Sequence, residues 1–327
     1  MEPFKFLKAQ NNEAAIAAAR SHGAKYIAGG TNLVDLMKLN IETPEHVIDI
    51  NKLPLDKIEE LPNGGVRIGA LVKNSNLAYH PAIVKKYRVL SEALLAGASP
   101  QLRNMASVGG NLMQRTRCPY FYNTDFDCNK RNPGSGCAAI QGFNRSNAVL
   151  GTSDKCIATH PSDMCVALAA LDATIRVQGP GGMRTIPFAD FHLLPGQTPH
   201  LEHALRVDEL ITYVDIPAMP YASRSYYLKV RDRQSYEFAL ASAAVILNIV
   251  NGRIQNAHIA LGGVATKPWR SGLAEKVLTG AVPSEQNYRT AAEAAMSQAK
   301  GYKGNAFKIE LAKRTLVRAL TITGGMS

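Results

Sequence analysis

Four of the five cysteines in this 327-residue chain lie in one stretch without regular periodicity, between Ser107 and Asp163. They are separated by 9, 8 and 18 residues, and no two form a Cys-x-x-Cys pair. Thiolates gather in this way where a soft metal requires sulfur, and four sulfurs are typical of zinc or iron–sulfur sites. Disulfides and inert buried thiols are the alternatives. The candidate metal ligands are Cys118, Cys128, Cys137 and Cys156.

The fifth cysteine has a different setting. Cys165 follows Pro161 inside an apolar run with the pattern of a helix. We therefore expect it to belong to the core, where it serves as an internal control for the metal hypothesis.

Two Gly-Gly elements have the residue types of an anion-binding turn. The first joins a short predicted strand to a predicted helix that begins near Leu33, and the second follows Ser107. Glycine lets the backbone approach a phosphate, and free N–H groups favour its charge. Each element alone is more typical of an ordinary turn, but two of them suit a cofactor with an extended diphosphate. The candidate binding residues are Ile27, Ala28, Gly29, Gly30, Thr31, Asn32, Leu33, Ser107, Val108, Gly109, Gly110 and Asn111.

Composition narrows the functional classes. The formal net charge is +11, but the basic residues are scattered, which argues against nucleic-acid binding and fits a basic docking face for acidic partner subunits. No apolar run approaches the roughly 20 residues of a membrane span. The N-terminal residues lack a basic region followed by an apolar one, so we expect no signal peptide.

The order of predicted elements divides the chain into three parts. A small α/β unit covers residues 1–54. A second unit covers residues 55–217 and contains the cysteine stretch at about 113–159. From residue 218 the pattern changes to strands, with a hairpin at Asn251-Gly252, and then to helices. Strands followed by helices are typical of an α+β fold, which is the class we predict.

Five motifs follow one another along the chain: Ala28-Gly29-Gly30-Thr31-Asn32-Leu33, Ser107-Val108-Gly109-Gly110-Asn111-Leu112, Ser162-Asp163, Lys229 with Arg233, and Leu261 to Pro268. By these motifs and their order, the chain resembles the FAD-binding medium subunits of the molybdenum hydroxylases, the family of xanthine dehydrogenase and carbon monoxide dehydrogenase. The resemblance covers nearly the whole chain, and the motifs are specific as a set. It implies non-covalent FAD on the two Gly-Gly elements, with Asp163 and Lys229 as further cofactor-binding residues.

The resemblance also implies a fold and a second cofactor. Family members have an N-terminal FAD-binding pair of α/β subdomains of the PCMH/VAO type and a C-terminal α+β domain of the CO dehydrogenase flavoprotein type. Most run from the second Gly-Gly element almost directly to the motif that contains Asp163, whereas this chain inserts the cysteine stretch. The insertion is similar to that of 4-hydroxybenzoyl-CoA reductase and of the periplasmic aldehyde oxidoreductase of enterobacteria. It implies a [4Fe–4S] cluster on the four cysteines.

The resemblance implies electron transfer, so no catalytic residue is assigned. A molybdenum-cofactor large subunit would oxidise an aldehyde, and a [2Fe–2S] small subunit would pass electrons to FAD, which reduces an external acceptor. The alternatives are a subunit of a 4-hydroxybenzoyl-CoA reductase-like or xanthine dehydrogenase-like complex, a self-sufficient flavin oxidase, and a non-catalytic iron–sulfur sensor. A periplasmic location would require co-export with a partner; otherwise the protein would be cytoplasmic.

Two positions depart from the family pattern. Many relatives have a Tyr against the flavin ring near the segment His200 to Leu205, which contains none here. His160 stands where an Asp is common among relatives. The sequence therefore assigns no residue that stacks on the flavin ring.

Overall fold

The computed structural model describes residues 1–325, and its first layer is a parallel sheet of three strands in the order β1-β3-β2. The strands are β1 (Lys5–Lys8), β2 (Ala24–Ile27) and β3 (His46–Asp49). Parallel neighbours require a crossover, and α1 (Asn12–Ala19) and α2 (Leu33–Lys38) provide it. The first Gly-Gly element is the turn between β2 and α2.

The second sheet has five antiparallel strands in the order β4-β5-β8-β6-β7. Its β4–β5 hairpin turns at Gly64, whose φ of +84° is open to glycine without a steric cost. Helices follow β5 and pack against one another and the sheet. The bounds are β4 (Ile58–Glu60), β5 (Val66–Gly69), α3 (Asn74–Tyr79), α4 (Pro81–Lys86), α5 (Arg88–Ala96), α6 (Pro100–Met105), α7 (Val108–Leu112), α8 (Pro119–Tyr122), α9 (Asp163–Ala170), β6 (Thr174–Gly179), β7 (Gly182–Pro187), α10 (Phe188–Phe191) and β8 (Leu210–Ile216).

The third sheet, in the order β12-β11-β10-β9, is antiparallel and packs against C-terminal helices as well as α5 and α9. Asn251 and Gly252 both have positive φ, +50° and +72°, which the predicted hairpin turn requires. Within residues 1–325 no helix is both long and apolar enough to cross a membrane. The bounds are β9 (Ser225–Val230), β10 (Ala241–Val250), β11 (Arg253–Gly262), β12 (Trp269–Arg270), α11 (Gly272–Leu278), α12 (Glu285–Met296) and α13 (Phe307–Gly324).

The cysteine segment, residues 113–159, has little regular structure but a hydrophobic cluster of its own. Fully buried Phe121 and Ile157 pack there with Leu36 of α2 and with the cysteines. The sequence suggests too few apolar residues in this segment for it to order by burial alone, and the structure shows one small apolar cluster there. Its few apolar side chains converge on the thiols, so the cluster and the candidate metal ligands share one core.

The end of this segment is attached to the C-terminal part of the chain. Val149 N and Leu150 N both donate to Val264 O, at 2.8 and 3.0 Å, and His160 N donates to Ala265 O at 3.0 Å. Because these N–H groups donate to carbonyls of the C-terminal part, they are paired although the segment forms no sheet of its own. The cysteine segment is therefore fixed between the second and third sheets.

Candidate flavin cleft and cysteine cluster

The first Gly-Gly turn needs both glycines for different reasons. A Cβ on Gly29 would overlap the carbonyl oxygen of Met105 at the end of α6. Gly30 has φ +72°, a left-handed conformation that other residues adopt at a cost. The sharp turn brings the start of α2 directly after β2, and it leaves the intervening backbone facing the cleft.

Four successive backbone N–H groups in this turn are unpaired. Within residues 1–325 the N–H groups of Gly29, Gly30, Thr31 and Asn32 have no hydrogen-bond acceptor, whereas Val34 N already donates to Gly30 O at 3.1 Å. Consecutive N–H groups in a turn form a concave anion-binding site. This turn therefore has the donors that a diphosphate requires.

The second Gly-Gly element has a different structure from the first, because it forms the short helix α7. The Ser107 hydroxyl caps the helix by accepting from Gly110 N at 3.2 Å. Val108 N donates to Val72 O and Gly109 N to Ala70 O, at 2.9 and 2.7 Å. Asn111 N donates to Ser107 O, so the N–H groups from Val108 to Asn111 are all paired. The two glycines leave this part of the cleft wall without side chains. The Val108 side chain is buried in the core and does not line the cleft.

The two elements face one cleft formed by two adjoining cavities of about 560 and 760 Å³. The first cavity is lined by the turn residues 27–33, and the second by Asn111, Asp163 and Lys229. Pockets of a few hundred to about 1,000 Å³ are typical of small-molecule and cofactor sites. The residues common to both cavities are Thr31, Asn32, Gly110, Gln114 and His160.

The structure brings Asp163 and Lys229 together as a buried ion pair in the second cavity. Lys229 Nζ lies 2.8 Å from Asp163 Oδ2 and donates to Ala96 O at 3.1 Å. The Tyr227 hydroxyl donates to Asp163 Oδ1 at 2.6 Å, and burial with the Asp163 charge raises the pKa of Tyr227 well above its ordinary value. Ser162, and not Asp163, is the N-cap of α9. Asp163 is thus held by two donors in the cleft wall.

A second charged network links the cleft to the cysteine segment. Arg115 bonds Glu42 at 2.6 Å and Glu202 at 2.8 and 2.6 Å, and its backbone N–H donates to Asn32 Oδ1 at 2.9 Å. Burial opposes ionisation of Glu202, but the nearby Lys130 and Arg115 charges prevail and lower its pKa. The network orients Asn32, the last residue of the anion-binding turn. Local sequence patterns do not indicate these contacts, because Arg115 and Glu202 are 87 positions apart.

His160, Cys165 and His192 form a compact polar group beside the cleft. One ligand atom from each lies within 4.8 Å of the other two. Ser162 N donates to His160 Nδ1 at 3.4 Å, so the neutral ring carries its proton on Nε2. The His160 Nε2 then carries a proton and offers no lone pair to a metal, which argues against a metal there. Burial lowers the pKa of both rings, His192 to about 4.

The four remaining cysteines converge as free thiols. Cys128 and Cys137 face each other across an isolated antiparallel bridge, and none of the five cysteines forms a disulfide. Burial raises the pKa of Cys156 to about 12, with Cys137 and Cys118 near enough to add to the shift and Lys130 opposing it. The structure thus groups all four residues that the sequence singled out.

Their surroundings fit an anionic multinuclear cluster. Asn147 Nδ2 donates to Cys118 Sγ at 3.5 Å and Ala158 N to Cys156 Sγ at 3.4 Å, and donors of this kind stabilise cluster sulfurs. Among residues 1–325, no three of these thiols lie within 4.8 Å of one another. A tetrahedral zinc ion would hold its sulfurs about 3.8 Å apart. A single zinc ion would therefore require these thiols to move closer together.

Two family models match consecutive parts of the chain. A model described as the FAD binding domain in molybdopterin dehydrogenase matches residues 2–219, and one described as the CO dehydrogenase flavoprotein C-terminal domain matches residues 226–323. The chain therefore belongs to the FAD-binding medium subunits of the molybdenum hydroxylase family. It is the FAD-binding subunit of an oxidoreductase, and the predicted fold class is confirmed.

Individual relatives agree with the family models. The aldehyde oxidoreductase FAD-binding subunit PaoB of Escherichia coli (strain K12) is 54% identical over 309 residues, which covers 94% of each chain. The carbon monoxide dehydrogenase medium chain of Hydrogenophaga pseudoflava is 27% identical and covers 91% of this chain and 88% of its own. The solved structure of carbon monoxide dehydrogenase from Hydrogenophaga pseudoflava, lacking the Mo-pyranopterin moiety, matches with a TM-score of 0.77 at 26% identity, over 99% of this chain and 98% of that chain.

Proposed function

We propose that this chain is the FAD- and [4Fe–4S]-binding electron-transfer subunit of a molybdenum-dependent aldehyde oxidoreductase. The observation that carries the proposal is the combination of two sites in one chain: a cleft with four unpaired N–H groups, and four free thiols in one buried cluster. The 54% identity to an aldehyde oxidoreductase FAD-binding subunit supports the aldehyde as the substrate class of the whole complex.

Bound FAD would supply the capacity to accept and release electrons one or two at a time. The N–H groups of Gly29 to Asn32 would bind its diphosphate, and Gly110 would leave space for it. The ion pair of Asp163 and Lys229 would present one fixed carboxylate and one fixed ammonium group to the second cavity. These residues bind and orient, and none of them is assigned a proton transfer in substrate oxidation.

The cluster ligands would be Cys118, Cys128, Cys137 and Cys156. A four-thiolate [4Fe–4S] cluster is anionic, and Lys130, which lowers the pKa of Cys156, is the positive charge beside it. The partners we propose are a large subunit with the molybdenum cofactor and a small subunit with [2Fe–2S] clusters. A periplasmic location by co-export with a partner belongs to the same proposal.

Metal analysis with single cysteine variants tests the cluster. The purified chain should contain about four iron atoms, and Cys→Ser at any of the four ligand positions should lose them and leave residues 113–159 sensitive to protease. Cys165→Ser is the matched control, because its thiol is fully buried outside this group and should keep the iron. Zinc in place of iron would refute the iron–sulfur cluster, and a requirement for Cys165 would refute the ligand assignment.

Activity measurements separate the proposal from its rivals. Without partners the chain should oxidise no aldehyde, while its FAD is still reduced by an artificial reductant. Steady aldehyde turnover by the isolated chain would favour a self-sufficient flavin oxidase. A chain that retains iron but no flavin would favour a sensor. Turnover of the complex with a 4-hydroxybenzoyl-CoA or a purine, and not with aldehydes, would favour the other members of the family.

A further inference from the structure

Lys308 of α13 is a fully buried ammonium group surrounded by carbonyl oxygens. Its Nζ donates to Ser146 O and Asn147 O at 2.9 Å each and to Gly263 O at 2.5 Å, and within residues 1–325 it pairs with no carboxylate. Burial lowers the pKa of Lys308 to about 7, and the three carbonyl oxygens are the hydrogen-bond partners that hold its amino group in place. In return, Lys308 fixes the backbone of the cysteine segment at two consecutive residues.

Asn147 connects this ammonium group with the thiol cluster. Its backbone carbonyl also accepts from Asn305 Nδ2 at 3.2 Å, so two side chains from the C-terminal part hold it. Its own side chain points the other way, where Nδ2 donates to Cys118 Sγ at 3.5 Å and to Ile157 O at 3.4 Å. Asn147 is 1% exposed, so no solvent competes for these bonds.

We propose that Lys308 and Asn147 are positioning residues for the cluster: Lys308 fixes the Asn147 backbone so that its amide donates to the Cys118 sulfur, and this donor raises the reduction potential. The inference rests on the proposed [4Fe–4S] site. A donor on a ligand sulfur stabilises the reduced cluster, which carries the greater negative charge. Neither residue is a ligand, so their effect acts entirely through Cys118.

A redox titration of the complex, followed by electron paramagnetic resonance of the cluster, tests this. Asn147→Ala removes the donor and keeps the backbone clamp, so the cluster potential should fall while about four iron atoms remain. Lys308→Met should lower the potential in the same direction. It should also weaken iron retention against a chelator by about tenfold, as outer-sphere substitutions typically do.

The double variant gives the sharper result. If Lys308 acts through Asn147, the potential of Asn147→Ala/Lys308→Met should equal that of Asn147→Ala alone, because the second change has no donor left to displace. Lys313→Met is the matched control on the same helix. Its ammonium pairs with Glu293 at 2.5 Å, away from the cluster, and its substitution should leave the potential unchanged.

Three outcomes would overturn the inference. An unchanged potential in Asn147→Ala removes the donor role, and this variant decides the matter even if Lys308→Met does not fold. Additive shifts in the double variant show that Lys308 does not act through Asn147. Loss of thermal stability in Lys308→Met with an unchanged potential shows a purely structural role. Failure of the proposed function is a separate result, since a wild-type chain without a four-iron signal ends both ideas before any variant is compared.

Discussion

At the scale of single residues, glycines that look equivalent in the sequence have separate roles. Gly29 is required by the nearby Met105 carbonyl and Gly30 by its positive φ, so substitution of either strains the protein even without a cofactor. Gly110 lines both cavities, and a Cβ there would meet only the Ser107 hydroxyl, at 3.1 Å. Gly110 is therefore the position at which cofactor binding and folding can be separated.

Gly110→Val should weaken FAD binding by about tenfold or more, equivalent to about 1.4 kcal/mol, because the side chain enters the cleft. Its melting temperature without flavin should stay near that of the wild type. Gly30→Val should lose flavin and stability together. Flavin content per folded chain and thermal unfolding measure both effects, with Gly181→Val, where nothing lies within 4 Å of a Cβ, as control. Full flavin content in Gly110→Val would disprove the role of this element.

The buried histidines predict acid sensitivity. Burial lowers the pKa of His192 from 6.5 to about 4; His203 and Lys267 add to this, while the Leu112 carbonyl and Glu202 oppose it. The unfolded chain therefore binds a proton at higher pH than the folded chain does, so stability is complete above about pH 6.5 and declines towards pH 4.

His192 alone should account for about 3 kcal/mol of the decline in unfolding free energy over this range. Urea unfolding at several pH values measures it. His192→Asn should flatten the profile between pH 6.5 and 4, and His22→Asn, whose side chain is 92% exposed, should not. A profile equally steep in His192→Asn would assign the acid sensitivity to other groups.

The sequence predicts site residues whose type is distinctive, but not those whose role depends only on tertiary contacts. The four cysteines, the first Gly-Gly turn, Asp163 and Lys229 all lie at the cleft or in the thiol cluster. Tyr227 was not anticipated, because its hydroxyl meets Asp163 from 64 positions away. Nothing in local composition distinguishes such a tyrosine from an ordinary strand residue.

At the scale of elements, the sequence predicts hairpin turns and long helices well, because both depend on residues that are neighbours in the chain. The β4–β5 and β10–β11 hairpins follow from Asn-Gly turns, and the long C-terminal helices from their periodicity. Strand β1 was not predicted, since Lys5–Lys8 is exposed at every position and is a strand only because it pairs with β3. Helix α7 was not predicted either, because two glycines disfavour a helix that here is held by its Ser107 cap.

The hydrophobic cluster of the cysteine segment should contribute to its order independently of iron. Phe121 is fully buried at its centre, with the Arg115 guanidinium 4.5 Å from its ring centroid. Phe121→Ala should cost about 3–5 kcal/mol, the usual range for a buried Phe. Hydrogen exchange of the segment and urea unfolding measure the loss. Phe143→Ala in the same segment, 68% exposed, should change stability by less than about 0.5 kcal/mol, and equal effects would contradict a central role for Phe121.

At the scale of the whole molecule, the cleft lies where the parts of the chain that contain the three sheets meet. The anion-binding turn follows a strand of the first sheet, α7 and α9 belong to the region of the second, and Lys229 lies on β9 of the third. A ligand that contacts all three regions binds the folded state alone. FAD should therefore raise the unfolding temperature of the entire chain, and the increase should continue as the free FAD concentration rises above the dissociation constant.

The Asp163–Lys229 ion pair joins two of these regions. Lys229→Met leaves the Asp163 carboxylate buried without its counter-charge, which should lower the unfolding free energy by about 3–5 kcal/mol. Lys229→Met/Asp163→Asn removes both charges and should recover part of the loss. Urea unfolding of the flavin-free variants tests the difference. A double variant no more stable than the single one would show that the charge itself is not what costs stability.

The bonds from Lys308 to the cysteine segment also set an order of events during synthesis. Asn147 leaves the ribosome 161 residues before the side chain that holds its backbone. At the usual elongation rates of about 5–20 residues per second, that interval lasts roughly 8–30 seconds. During this interval the four thiols belong to a nascent chain in which α13 has not yet contacted the cysteine segment. On the proposed iron–sulfur assignment, iron delivery and oxidation of the thiols would compete within this interval, and slower translation of the last third of the message would prolong both.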